Sequence, residues 1–125
     1  MKVATVRRFA LSLPGVTEEP HFHLASFRVA GRIFVTIPPG QEHVRVFVTG
    51  TAREQALAMY PEFAEKLLWG GKLVGVQVTL ESASPQVLKD LIREAWSSRA
   101  AGGSAGRRPG SSPARRKGPP RSELE

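Results

Sequence analysis

The stretch from Ser26 to Val48 constrains the fold of this chain more than any other. It contains three runs of β-branched and aromatic residues, separated by two turn signals, Ala30-Gly31 and Pro38-Pro39-Gly40. A two-residue connection that ends in glycine is typical of a tight β-hairpin, because glycine adopts a positive φ without steric cost. The stretch therefore predicts a three-stranded antiparallel meander.

The short turn also predicts how the first two strands pair. A two-residue connection places Arg28 opposite Ile33 and Phe27 opposite Phe34. Phe27 and Phe34 are the core candidates, because two aromatic side chains bury the most area. The opposite face also carries apolar residues, so the pattern leaves open which face of the sheet the helices cover.

Helical periodicity surrounds the meander. Apolar residues at spacings of three and four predict helices over residues 2–13, 51–60 and 85–99. The second helix is predicted to begin with a capping box formed by Thr51 and Glu54, and Ser84 precedes a proline as the N-cap of the third. We expect Trp96, on the apolar stripe of the third helix, to anchor that helix to the sheet.

The segments between these elements complete the predicted order. Residues 16–25 show no strong periodicity and are expected to form a loop. Residues 61–71 fit either a helix extension or an edge strand, and we favour a short irregular link followed by a strand. Alternation from Lys72 to Leu80 predicts a further strand. The fold class is therefore α+β, a two-layer antiparallel β-sheet with helices packed on one face, in the order helix, three strands, helix, one or two strands, helix.

The composition of the chain changes at Ala100. Residues 100–125 are rich in Arg, Pro, Gly and Ser, and Leu124 is their only large apolar residue. Such a segment cannot bury enough apolar surface to offset the entropy of ordering, which predicts a single domain, residues 1–99, and a disordered basic tail, residues 100–125. Of the net charge of +7, the first 99 residues hold +3, from 12 Lys/Arg and 9 Asp/Glu, and the tail holds +4, from 6 and 2. A basic tail either draws the chain to polyanions or only keeps it soluble.

The residue types that catalysis and metal binding need form no recognisable pattern. The chain has no cysteine, which excludes a disulfide framework, a thiolate metal site and a cysteine nucleophile. His21 and His23 alternate along one segment, but their spacing with the carboxylates matches no known set of metal ligands. Together with Glu19 they form the one polar cluster worth testing for catalysis. We therefore predict no catalytic residues, no metal site and no cofactor, and a protein that is not an enzyme.

No stretch of the sequence predicts a membrane segment. The first 20 residues lack the apolar region of a signal peptide, and no run approaches about 18 consecutive apolar residues. We therefore expect a cytoplasmic protein with no membrane partner.

Several motifs occur in the order that a known family shows. They are Leu13-Pro-Gly-Val16, Glu19-Pro-His-Phe22, Ser26-Phe-Arg-Val-Ala-Gly-Arg-Ile-Phe34, Trp69-Gly-Gly-Lys72, Val74-Gly-Val76 and Leu91-Ile-Arg-Glu-Ala-Trp96. Over residues 2–96 the chain resembles the MmcQ/YjbR family of small bacterial proteins. The resemblance implies an antiparallel sheet with helices packed on it, similar to type III secretion chaperones, and a DNA-binding protein with a double wing of β-hairpins. It implies no catalytic residues, and Leu73 stands where members often carry a tryptophan.

The resemblance and the charge together predict DNA as the partner. The predicted contacts are basic residues of the hairpins and of the tail: Arg28, Arg32, Arg45, Lys66, Lys72, Arg107, Arg108, Arg115, Arg116 and Lys117. Binding would be mainly electrostatic and weakly sequence-selective, because the sequence contains no obvious recognition helix with base-reading side chains. Arginines along a sheet are also typical of a solvated face whose long side chains cover apolar surface.

The alternative function is a protein-interaction or chaperone-like module that uses an exposed sheet face or edge to meet a protein partner. It predicts an exposed apolar strip along Ile33, Val35 and Ile37. For either function we expect a monomer or a weak dimer.

Overall fold

In the computed structural model, which describes residues 1–21 and 23–104, the predicted meander forms the middle of a six-stranded antiparallel sheet. The strands are β1 (Thr17–His21), β2 (Leu24–Val29), β3 (Arg32–Ile37), β4 (His43–Val46), β5 (Ala64–Trp69) and β6 (Lys72–Thr79). Their spatial order is β1-β2-β3-β4-β6-β5. The helices of the described residues are α1 (Val3–Ser12), α2 (Gly50–Met59) and α3 (Pro85–Ser104).

The helices pack on the sheet around one continuous core, which confirms the α+β prediction. Helix α3 lies against the central strands β2, β3 and β4, while α1 and α2 both contact α3 from either side. The largest fully buried side chains include Phe27 and Phe34 from the sheet and Leu88 and Ile92 from α3. Within the described residues, no helix is both long enough and apolar enough to cross a membrane.

The first strand, β1, is a correction to the predicted loop. Thr17–His21 pairs with β2 along its whole length, with Glu18 opposite Phe27. Its first four residues are exposed and its fourth is Pro20, so it has none of the apolar alternation by which a strand is recognised in a sequence. A proline and a polar composition are typical of a strand at the edge of a sheet, which is where β1 lies.

The hairpin of β2 and β3 has the predicted turn but not the whole predicted register. Ala30 and Gly31 have φ angles of 53° and 76°, as a two-residue turn of this kind requires, and Arg28 lies opposite Ile33. The register then shifts between Phe27 and Arg28, so that Phe27 lies opposite Val35 rather than opposite Phe34. The predicted pairing of the two phenylalanines is therefore wrong. Such an irregularity adds a residue to one strand, and alternation alone cannot reveal it.

The ends of the helices confirm one predicted cap and contradict another. Thr49 is the N-cap of α2, and it makes no side-chain capping bond. Thr51 already lies inside that helix, so the predicted capping box is wrong, and the Glu54 carboxylate accepts a hydrogen bond from Arg53 Nε at 2.8 Å. At α3 the predicted cap is present, because the Val87 amide donates to Ser84 Oγ at 3.4 Å.

Helix α3 is longer than the sequence predicts and is anchored at its second half. It continues to Ser104, five residues beyond the predicted end of the domain. The Trp96 indole N–H donates to the carbonyl oxygen of Pro14 at 2.9 Å, so this ring ties α3 to the turn between α1 and β1.

Candidate nucleic-acid interface

A row of polar residues crosses the sheet, with one member from each strand. In spatial order the row is Glu19, Ser26, Thr36, Arg45, Gln77 and Glu65, and each member is directly opposite the next. Directly opposed residues of antiparallel strands lie on the same face, and successive residues of a strand alternate between faces. Because the neighbouring Val35, Val46 and Val76 are completely buried in the core, the polar row lies on the face away from the helices.

Hydrogen bonds connect the members of this polar row. Arg45 Nε donates to Gln77 Oε1 at 3.1 Å, and Gln77 Nε2 donates to Glu65 Oε2 at 3.2 Å. At the other end of the row Arg28 Nε donates to Ser26 Oγ at 3.4 Å, and lies 4.0 Å from a carboxylate oxygen of Glu19. Two of the predicted arginines are therefore held along the open face by neutral and acidic neighbours.

Thr36, in the middle of the row, is completely buried, and its hydroxyl oxygen has no hydrogen-bond partner among the described residues. Replacing Thr36 by valine is expected to raise the free energy of unfolding by about 1 kcal/mol, because the hydroxyl loses its hydration on folding and regains no bond. Urea titration measures the change. Thr36→Ser is the control: it keeps the hydroxyl, removes one methyl group, and is expected to be destabilising by about 1 kcal/mol. A loss of stability in Thr36→Val would contradict this interpretation.

A cavity of about 370 Å³ lies beside the row, at the tip of the hairpin of β2 and β3. Three arginines, two aromatic rings and three other residues line it: Arg28, Arg32, Arg99, Phe47, Trp69, His21, Gly31 and Ile33. None of these described residues is acidic. The cavity therefore combines concentrated positive charge with aromatic surface.

Two of the arginines come from elements distant in sequence. Arg32 is the first residue after the two-residue turn, and Arg99 lies in the second half of α3. Burial, together with the positive charge of Arg32, lowers the pKa of the Arg99 guanidinium from its usual value. Arg99 Nε is buried and has no hydrogen-bond partner among the described residues. Since an arginine stays protonated at neutral pH, the two side chains repel each other, and an anion between them would relieve that repulsion.

The aromatic part of the cavity comes from the ends of β4 and β5. The Phe47 and Trp69 rings meet edge to face, with their centroids 5.0 Å apart. Phe47 follows β4 and donates its amide to the carbonyl oxygen of Phe34 at 2.9 Å. Phe47 is only 4% exposed, whereas Trp69 is 46% exposed. The pair thus has a buried member that supports an accessible one.

A second and larger cavity is a weaker candidate. Its volume is about 780 Å³, and it lies between the β1–β2 connection and the loop after β3, with His23 in its lining. Arg7 binds Glu18 there through both carboxylate oxygens, at 3.0–3.1 Å, so its charge is already compensated. Within the described residues, no three His, Asp or Glu side chains come together as a metal site would need.

The predicted contact residues do not all lie together. Arg28 and Arg32 line the cationic cavity, and Arg45 lies in the polar row. Lys66 is opposite Val76, on the other face from Arg45, and Lys72 begins β6 at an exposed position. The tail residues predicted to contact DNA, Arg107, Arg108, Arg115, Arg116 and Lys117, lie outside the described residues.

Sequence reasoning missed three residues of the cavity: Arg99, Phe47 and Trp69. Phe47 had a detectable signal, because strand alternation already placed it on the same side as Arg45. Arg99 had none, since one arginine near the end of a helix is an ordinary feature. Only the packing of α3 beside the hairpin shows that Arg99 lines this cavity.

The folded part of the chain matches a known protein family. The family model described as YjbR matches residues 11–98. No curated protein matches the chain. The matched range contains the strands, the hairpin arginines and both aromatic residues of the cavity, and it ends one residue before Arg99.

Proposed function

Because this chain belongs to the YjbR family, we propose that it is a nucleic-acid-binding module, with DNA as the partner and contacts that are mainly electrostatic. The observation that carries the proposal is the convergence of Arg28, Arg32 and Arg99 on one cavity without an acidic residue in its lining. Phosphate groups suit such a site, because the planar guanidinium of arginine donates two parallel hydrogen bonds to them.

The distribution of charge indicates how such binding would work. The first 99 residues carry only +3, so the domain offers a local cationic site rather than a broad basic surface. The tail carries +4 and would add contacts along the phosphate backbone. Phosphate contacts orient a nucleic acid without reading its sequence, and we therefore propose weak sequence selectivity and no catalytic step.

The protein-interaction alternative has less support. It predicted an exposed apolar strip along Ile33, Val35 and Ile37, but Val35 and Ile37 are buried in the core. The two exposed large apolar residues at the end of β5, Leu68 and Trp69, do not replace that strip, because they form only a small patch. A partner protein that binds in place of DNA would favour this alternative.

The proposal predicts that Arg32→Gln weakens DNA binding by the full chain about fivefold, because one phosphate contact is lost. For the same reason, we expect the slope of log affinity against log salt concentration to become shallower by about one. Fluorescence anisotropy with labelled single-stranded and duplex DNA, across a series of salt concentrations, measures both quantities. Arg93→Gln is the matched control, since it removes the same charge from a guanidinium that pairs with Asp90 and lies over the Phe9 ring. We expect Arg93→Gln to bind like the wild type.

Three other outcomes would contradict the proposal. Equal weakening by Arg32→Gln and Arg93→Gln would mean that only net charge matters. Loss of binding when the five predicted tail residues become glutamine, with no effect of Arg32→Gln, would place the contacts in the tail. Absence of binding by the wild type near physiological salt would exclude DNA as the ligand.

A further inference from the structure

The cationic cavity has features that a phosphate contact alone does not require. Its volume of about 370 Å³ falls within the range of sites that hold small ligands, and two of its eight lining residues carry aromatic rings. Trp69 borders the space with nearly half of its surface exposed, although tryptophan is usually a well-buried residue. An exposed tryptophan beside clustered arginines is the combination by which proteins hold an unpaired base next to its phosphate.

Resting on the proposed function, we infer that this cavity takes one nucleotide of a single strand, with the phosphate between Arg32 and Arg99 and the base against Trp69. A single-stranded nucleic acid is thus the preferred form of the ligand. In a duplex each base is stacked and paired, so a base would have to leave the stack before it could reach the Trp69 ring.

The phosphate position follows from the two arginines, Arg32 and Arg99, that line the cavity together. Arg99 Nε is buried and lacks a partner among the described residues, and the charge of Arg32 lies close enough to act on it. A phosphate oxygen between them would accept a hydrogen bond and neutralise the repulsion at once. Arg28 is the less suitable partner, because it already binds Ser26 and has Glu19 beside it.

The base position follows from the aromatic pair. Phe47 contacts Trp69 edge to face and is itself almost completely buried, so the tryptophan ring is supported from one side. A supported ring stacks on a base with less loss of side-chain freedom than a mobile ring does. Stacking of this kind accepts any base, which agrees with weak sequence selectivity.

The test compares two oligonucleotides that differ only in their bases. One is oligothymidylate, and the other has the same length and phosphates but abasic sugars. We expect Trp69→Leu in the full chain to weaken oligothymidylate binding about tenfold and to leave abasic binding unchanged. Arg99→Gln is expected to weaken binding of both. Leu68→Ala removes the exposed neighbour of Trp69 and serves as the matched control, with no change expected for either strand.

A second readout reports the contact directly. The chain has two tryptophans, so Trp69 is the only one left in Trp96→Phe. Oligothymidylate is expected to quench the fluorescence of that variant, and the abasic strand is not. Equal affinity of the wild type for the two strands, with no effect of Trp69→Leu, would overturn this inference while leaving electrostatic DNA binding intact. Failure of the wild type to bind either strand would overturn this inference, and failure to bind duplex DNA as well would overturn the proposed function.

Discussion

Replacing Gly75 by alanine is expected to lower the free energy of unfolding by about 3 kcal/mol, a large share of the roughly 5–15 kcal/mol that stabilises a domain of this size. The cause is the close approach of β6 to the end of β4. A Cβ atom on Gly75 would overlap the carbonyl oxygen of Val46 and would lie 3.0 Å from Phe47 Cα. Both neighbours are backbone atoms, which cannot rotate away as the end of a side chain can.

Urea titration of Gly75→Ala against the wild type measures this loss. Gly40→Ala is the control, because a Cβ there meets nothing within 4 Å and only the positive φ of 97° is strained. We expect the control to cost about 1 kcal/mol. A loss in Gly75→Ala no larger than that in Gly40→Ala would show that the backbone of β4 gives way to the added Cβ atom at little cost.

Gly75 also matters for the candidate site, since the backbone it approaches carries Phe47. Separation of β6 from β4 at this point would move Phe47 away from the position in which it contacts Trp69. Among the described residues that line the cavity, Gly75 is not included. Its close contact with β4 nevertheless determines where the aromatic side of the cavity is placed.

Much of the fold was predictable because it follows local patterns. The Ala30-Gly31 turn and the alternation around it indicated the meander, and the stripe of α3 from Leu88 to Ala95 indicated its buried face. Edge strand β5 was one of the alternatives that the residues before Gly70 and Gly71 left open. Each of these signals lies within a single element or a single turn.

The features that sequence reasoning missed depend on contacts between elements. β1 is polar and exposed, so only its pairing with β2 identifies it as a strand. The register shift beside Phe27 lets both Phe34 and Val35 be buried, which strict alternation does not predict.

The candidate site shows the same division between residues that a local pattern predicts and residues that only contacts between elements bring together. Arg28 and Arg32 were predicted because they lie in the hairpin motif itself. Arg99 and Trp69 reach the same cavity only because α3 passes the tip of one hairpin and β5 ends near it. No local pattern in the sequence contains that arrangement, so the chemistry of the site could be inferred only from the folded structure.

Phe27→Ala is expected to have the largest effect on stability of any substitution proposed here, lowering the free energy of unfolding by about 4 kcal/mol. Phe27 is completely buried in the core beneath α3, and it lies opposite Val35 where the register of β2 and β3 shifts. Truncation removes the apolar area of the ring and leaves a cavity that the tightly packed neighbours cannot fill.

Thermal and urea unfolding of Phe27→Ala measure this loss. Phe9→Ala is the matched control: its ring is only half-buried on α1, under the cationic ends of Lys89 and Arg93, so about 1–2 kcal/mol is expected. A similar loss in the two variants would show that the core beneath α3 is packed no better than the surface of α1. A large difference would mean that the buried ring of Phe27 contributes far more to stability than the half-buried ring of Phe9.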